Sequence, residues 1–454
     1  MKITLYTTDA EKRLAVTPAT DMAFRDCDVI EEQNHPGDVE AWLINIRPEL
    51  KYQTFGGIGG AITDGVARAW RALSPEKQAE TIRLLFDPET GAGYSFVRLS
   101  IGSCDFSFDD YTYVAEGDRT LDSFDLSHDC EAIFPMVKAA EQYTKLTLLA
   151  SPWSPPAYMK TSNSRIGGHL RRDCYALWAS YFGKYIDACR ENGIHIDYVT
   201  MQNEPRHHQT WESCLYTTEE ESDFLGDLGR ELSPRGVKIL CYDHCRERAY
   251  ERLRDIRGGA NGAFLSGVAH HWYSGDHFED LRVIRDRYPE MLNVANESCR
   301  GVKTSGIHPE YELATAEAFG HDMIGNFANG THYYADWCIA LDEKNGPYHN
   351  RENRGAWDDT LVYCDGAHDE VICRLGYYYV SHIGRFVRPG AKIIGIGTYT
   401  SRLEACAFEN PNGRIVLVVL NRTDGAVPFV ARLENFSHKV VVEAHSIVTA
   451  VIER

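Results

Sequence analysis

Residues 198–205 read Tyr198-Val199-Thr200-Met201-Gln202-Asn203-Glu204-Pro205, a short apolar run that stops abruptly on Asn-Glu-Pro. The run is too short for a helix and lacks strict alternation, the pattern of a strand buried on both faces of a parallel sheet. Its polar end places a carboxylate where strand meets loop. The same design returns at Leu292-Asn293-Val294-Ala295-Asn296-Glu297-Ser298. Working outward, comparable runs fall at 55–61, 96–101, 146–150, 238–242, 267–272 and 332–337, with the two quoted stretches supplying strands at 198–202 and 291–295. Helical signals lie between them. Ser74-Pro75-Glu76 combines an N-cap, a proline at the first helical position and an early acid. Thr218-Glu219-Glu220-Glu221 has capping-box spacing. Eight strands with helical connections, spread over about 330 residues, predict a (β/α)8 TIM barrel, so the chain is read as α/β.

The chain changes character after Arg388-Pro389-Gly390. Segments 392–399, 403–408, 414–420, 427–433, 439–444 and 447–452 alternate or are rich in β-branched residues. Turn signals such as Asn410-Pro411-Asn412-Gly413 and Thr423-Asp424-Gly425 separate them. This predicts a β-sandwich, which the strand-like stretches 2–7 and 13–16 would complete from the N-terminus. The expected organisation is N-terminal sandwich strands in 1–50, a (β/α)8 barrel in 51–385 and a C-terminal β-sandwich in 386–454. No internal repeat or low-complexity segment interrupts it.

Composition narrows the partners. The 454 residues carry 66 Asp plus Glu against 47 Lys plus Arg, a formal charge of −19. That surplus argues against nucleic acid or an anionic membrane, both polyanions, as the main partner. Thirteen cysteines form no framework of paired CxxC spacings. The start, Met1 to Ala10, lacks the apolar core of a signal peptide, and no run approaches the roughly 20 apolar residues of a membrane span. A cytoplasmic location is expected.

Barrel active sites sit at the C-terminal ends of the strands. Glu204 and Glu297 occupy those positions on the fourth and seventh strands. A pair of carboxylates facing each other across a barrel mouth suits glycoside hydrolysis, one protonating the leaving oxygen and the other attacking the anomeric carbon. The bland reading of one such glutamate is an N-cap or a rim ion pair; two, on these strands, favour chemistry. The glycines at 56–60 fail nucleotide-loop spacing, with Ile62 where a third glycine should stand, and are expected to make a tight turn beneath the barrel. Histidine pairs at 207–208 and 270–271 point to opposite faces of a strand, and no HExxH motif exists, so neither a metal nor a cofactor is expected. A metal-dependent barrel lyase or isomerase is the enzymatic alternative. A silent carbohydrate-binding barrel is the non-enzymatic one, which the presence of both glutamates disfavours.

At Asn203-Glu204-Pro205 the chain resembles clan A glycoside hydrolases, and more closely glycoside hydrolase family 30, the glucosylceramidase-like group. The marks occur in order: Phe55 to Asp64, Arg98, Ser103-Cys104-Asp105-Phe106-Ser107, Ala150-Ser151-Pro152-Trp153-Ser154-Pro155-Pro156, Asn203-Glu204-Pro205, His271-Trp272-Tyr273, Asp336-Trp337, Leu341-Asp342-Glu343 and the closing Val418 to Arg422. The resemblance implies Glu204 as acid/base and Glu297 as nucleophile. It implies Asn203 as donor to the sugar 2-hydroxyl and Asp105, Trp153 and Trp337 as sugar contacts. His271 and Tyr273 would line the pocket, with Phe106 supporting it and Arg98 keeping Glu297 ionised. Asp243-His244, closing the fifth strand, matches a family position that either faces the site or caps a loop. Glu204 is expected to have a raised pKa, from burial and from the charge of Glu297. Two departures bear on substrate: Asn296 stands where the family has Thr or Ser, and Gly346-Pro347-Tyr348-His349 replaces the glucosylceramidase Gly-Pro-Asn-Trp. The implied activity is a retaining β-glycosidase releasing terminal glucosyl, xylosyl or fucosyl units from short soluble glycosides. Endo-acting β-1,6-glucanase is the runner-up and glucosylceramidase the third reading.

Overall fold

The computed structural model describes residues 1–24, 42–349 and 357–454; residues 25–41 of the expected N-terminal segment lie outside them. All eight predicted runs form strands: β1 (Gly57–Ala61), β2 (Phe96–Ile101), β3 (Thr147–Pro152), β4 (Tyr198–Thr200), β5 (Lys238–Cys245), β6 (Leu265–His271), β7 (Leu292–Glu297) and β8 (Tyr333–Asp336). They pair in chain order and β8 returns to β1, closing a parallel barrel. Phe96, Leu149, Tyr198, Leu240, Ala269, Val294 and Ala335, one from each of β2 to β8, form an apolar plug inside it. In the same layer β1 contributes Gly59, opposite Phe96 and Ala335. A Cβ on Gly59 would lie 1.7 Å from the Phe96 carbonyl oxygen. The glycine cluster therefore does not turn beneath the barrel, as expected above. It lies within the first strand and allows a close approach to β2.

The helix Pro75–Phe86 starts at Ser74, whose hydroxyl accepts from the Lys77 amide. The helix Thr218–Leu232 carries its capping box one residue earlier than expected, between Thr217 and Glu220. Glu221 is unavailable as a cap because it is buried, accepting from the Tyr242 amide at 2.7 Å and from Arg252 Nε at 2.6 Å.

Ten further strands, drawn from both chain ends, make a second sheet. Lys2–Thr8 sits between Ala15–Asp21 and the last strand, Ser446–Glu453. Leu43–Thr54 lies between Lys392–Thr398 and Val427–Leu433, and its pairing persists to Thr54, past the expected boundary at 50. Ile3 near one edge and Val440 near the other share one apolar cluster with Ile46, Leu417 and Phe429. The sheet must therefore curl over on itself to enclose that core, which makes it a sandwich rather than a flat layer. Its seam with the barrel includes a fully buried histidine, His382, in the helix Leu375–Gly384. Its two ring nitrogens lie 2.8 Å from Thr449 Oγ1 and 2.8 Å from Thr8 Oγ1.

Candidate active site

The ends of β2 and of β4 to β7 converge at the barrel mouth. Glu204, just past β4, and Asp243, on β5, adopt left-handed backbone, with φ of 46° and 48°. Neither is glycine, so each conformation costs on the order of 1–3 kcal/mol and must be held by its surroundings. The Glu204 amide donates to the Asp243 carbonyl at 2.8 Å, and the Asn203 amide donates to the Pro152 carbonyl at 2.8 Å. These bonds fix where Asn203 and Glu204 leave the strand.

Arg98 on β2 is wholly buried and binds four groups from four strand ends. Its guanidinium donates to Glu297, to Asn203 Oδ1 at 2.8 Å, to both Asp243 oxygens at 3.0 and 3.1 Å, and to Ser151 Oγ at 3.3 Å. A buried cation holding two carboxylates is favourable only with its hydrogen bonds satisfied, and here they are. Asp243 is also buried, and accepts from Asn296 Nδ2 at 2.6 Å and from the Thr200 hydroxyl. Of the two roles left open for Asp243, the structure selects the one facing the site. Asn296, the departure before Glu297, is explained by the same contact. His244 lies at the edge of the site, 8% exposed, with burial holding its imidazole at about 4.

His271, at the end of β6, lies between the two glutamates. Its Nε2 is 2.8 Å from Asp243 Oδ1, while Nδ1 is 3.4 Å from Glu204 Oε1 and 3.5 Å from Glu297 Oε1. Tyr273, whose ring is exposed, donates its hydroxyl to Glu297 Oε1 at 3.0 Å. Glu204 Oε2 accepts from Gln209 Nε2 at 2.8 Å. The facing atoms of Glu204, His271 and Glu297 all lie within 4.8 Å of one another. That is closer to the about 5–5.5 Å carboxyl separation that accompanies double displacement than to the about 6.5–9.5 Å that accommodates an attacking water.

The electrostatics reverse one expectation. Burial alone would lower the pKa of His271, but Glu297, Asp243 and Glu204 outweigh it and raise the ring to about 9. Burial pushes Glu204 up, yet the neighbouring His271 imidazolium and Gln209 more than offset it, leaving Glu204 at about 2 rather than raised. Glu297 moves up instead, because burial exceeds what His271 and Arg98 return. Asp243 is held well down by Arg98 and His271 against its own burial. These directions favour a protonated His271 between the two glutamates in the ligand-free site.

Aromatic side chains pack against Arg98 beside the two glutamates. Trp153 and Trp337 stack at 5.1 Å between centroids, and the Arg98 guanidinium lies 4.8 and 5.4 Å from their rings. Phe106 meets Trp337 edge-on at 5.7 Å and Tyr348 at 4.4 Å. Asp105 is 6% exposed, on the loop after β2, where its charge acts on Cys338 and His349.

Two tryptophans and a carboxylate thus surround a close pair of glutamates at the ends of β4 and β7. Residues 55–387 match the glycosyl hydrolase family 30 TIM-barrel domain, and residues 390–450 match the glycosyl hydrolase family 30 beta sandwich domain. The chain belongs to glycoside hydrolase family 30. It is 29% identical over 412 residues to the lysosomal acid glucosylceramidase of Mus musculus, covering 85% of this chain and 78% of that protein. It is 27% identical over 412 residues to the endo-1,6-beta-D-glucanase of Neurospora crassa, covering 85% and 83%. Among solved structures it is similar to SrfJ from Salmonella typhimurium, with a TM-score of 0.92 and 29% identity, and to the endo-beta1,6-glucanase BT3312, with 0.88 and 26%. Both structural matches cover 100% of each chain.

This family 30 enzyme also has support that sequence reading missed. Gln209 comes from the loop after Glu204 and carries no motif. Glu212, from the same loop, is buried and takes hydrogen bonds from Ser103 and from His349 Nε2 at 3.0 Å. The β4 loop, the β2 loop and the loop after β8 are thereby tied together around Asp105. Only the spatial convergence of three distant loops reveals that ring of contacts.

Proposed function

We propose that the enzyme releases single β-linked glycosyl units, glucosyl first among them, from short soluble glycosides by double displacement. The observation that carries this reading is the buried wall of Asp105, Trp153 and Trp337, which are 6%, 2% and 4% exposed. Such a wall closes the pocket behind one sugar ring, and indole faces suit the apolar face of a pyranose. Glu297 would attack the anomeric carbon, and Glu204 would protonate the leaving oxygen. The proton begins on His271 Nδ1, 3.4 Å from Glu204 Oε1, and transfer to Glu204 completes the acid before bond cleavage. Arg98 occupies Asn203 Oδ1, leaving the amide nitrogen as the group able to donate to the sugar 2-hydroxyl. Once Glu297 is esterified, Glu204 acts as base toward water.

Endo-acting β-1,6-glucanase is the second reading, favoured by the likeness to the Neurospora crassa enzyme and to BT3312. Nitrophenyl β-glucoside, xyloside, fucoside and galactoside, run beside a linear β-1,6-glucan, separate the two. Preferred turnover of the nitrophenyl glucoside, with monosaccharide as first product, supports exo action; oligosaccharides released early from the glucan would replace it with the endo reading. Time-resolved NMR should show the β-anomer first. An α-anomer would overturn double displacement.

A further inference from the structure

We propose that Glu204, His271 and Glu297 also form a binding site for one divalent transition-metal cation of the Zn2+ type, whose occupancy switches the enzyme off. His271 is fully buried, and among the described residues its Nδ1 makes no hydrogen bond of regular geometry. It faces Glu204 Oε1 at 3.4 Å and Glu297 Oε1 at 3.5 Å. For a tetrahedral ion bound at about 2.0–2.1 Å, neighbouring ligand atoms lie about 3.3–3.4 Å apart. One of the three edges has that length and a second exceeds it by about 0.1 Å. The third, between the glutamates, is no longer than 4.8 Å.

The opposite atom of every ligand is held by another group. His271 Nε2 meets the Asp243 carboxylate at 2.8 Å, the outer partner that orients metal-bound imidazoles and increases their basicity. Glu204 Oε2 is fixed by Gln209 and Glu297 Oε2 by Arg98. One imidazole and two carboxylates suit Zn2+ or Cu2+, whereas Mg2+ and Ca2+ require a fuller oxygen shell. Binding would displace the Nδ1 proton to solvent and leave a corner of the tetrahedron for water. Both glutamates would then be occupied. The loss of turnover rests on the roles proposed above for Glu204 and Glu297; binding itself does not.

The test is isothermal titration of the full, chelator-treated chain with ZnCl2, with MgCl2 and CaCl2 in parallel, followed by inhibition kinetics on an aryl β-glycoside. The expected result is one Zn2+ per chain at micromolar concentration, reversed by chelator, with inhibition competitive against the glycoside. His271→Gln and Glu297→Gln, each checked for folding by circular dichroism, should weaken binding by at least about tenfold. Absence of saturable Zn2+ binding would overturn the proposal. So would binding that both variants leave unchanged, which would place the ion elsewhere, or Mg2+ binding as tight as Zn2+. Zn2+ bound at the trio without loss of activity would retain the site and refute the off-switch, together with the roles given to the two glutamates.

Discussion

His271 and His382 are both fully buried, yet they depart from ordinary histidine in opposite directions: His271 rises to about 9 and His382 falls to about 3. Burial favours the neutral ring in both places. The difference lies in the neighbours. His271 faces three carboxylates at the barrel mouth, whereas His382 has two threonine hydroxyls at the seam between barrel and sandwich. Hydroxyls satisfy a neutral ring without rewarding its charge; carboxylates reward it strongly. The seam is thus built for stability and the mouth for holding a proton, at a point where the backbone is itself strained.

Removing the group that consumes the site's electrophile should have the largest effect. Glu297→Ala is expected to lower kcat/KM for an aryl β-glycoside by at least about 10⁴-fold. Azide should restore turnover and yield the α-glycosyl azide. A β-azide from this variant would reverse the two glutamates' roles.

Next in size is the support of His271. Asp243→Asn removes a buried charge that both Arg98 and His271 use, and should cost about 10²–10³-fold in kcat/KM. It should also move the alkaline limb of the pH profile to lower pH, because His271 loses an anion. In the unsubstituted enzyme that limb should lie near 9, since above it the trio loses its proton. An unmoved limb in Asp243→Asn would detach the limb from His271.

At the seam the prediction concerns stability. The folded pKa of His382, about 3, is below the unfolded value of about 6.5. Its neutral form therefore stabilises fully above about pH 6.5, and stability falls as pH drops toward 3, by about 1.4 kcal/mol per unit. His382→Gln should lower stability by about 2 kcal/mol, flatten that acid dependence and leave kcat/KM as it was. Urea titrations between pH 4 and 7 check this. An equally steep acid dependence in the variant would place its origin elsewhere.

The barrel was legible because short apolar runs recur between helical signals, several of them ending at a polar residue as Tyr198 to Pro205 does. The sandwich was legible because segment 427–433 alternates and is bounded by turns. Misreadings arose where local sequence allowed two registers. Thr217 and Thr218 both satisfy capping-box spacing, and only the burial of Glu221 against Arg252 decides between them. The glycines of β1 look like turn residues until the Phe96 backbone is placed beside them. Within the site, the glutamates announce themselves by position at strand ends, and the aromatic wall by motif. The proton's location does not, because it depends on three strand ends, β4, β6 and β7, meeting within a few ångströms around His271. Burial and the charge of Glu297 both favour a raised pKa for Glu204, and the imidazole between them reverses the sign.

The central claim, that this imidazolium holds the proton shared by Glu204 and Glu297, is open to direct measurement. The His271 ring can be followed by ¹⁵N NMR across pH 5 to 10, its signals identified by their loss in His271→Gln. The ring should be doubly protonated at pH 7 and titrate near 9. A neutral ring at pH 7 would contradict it.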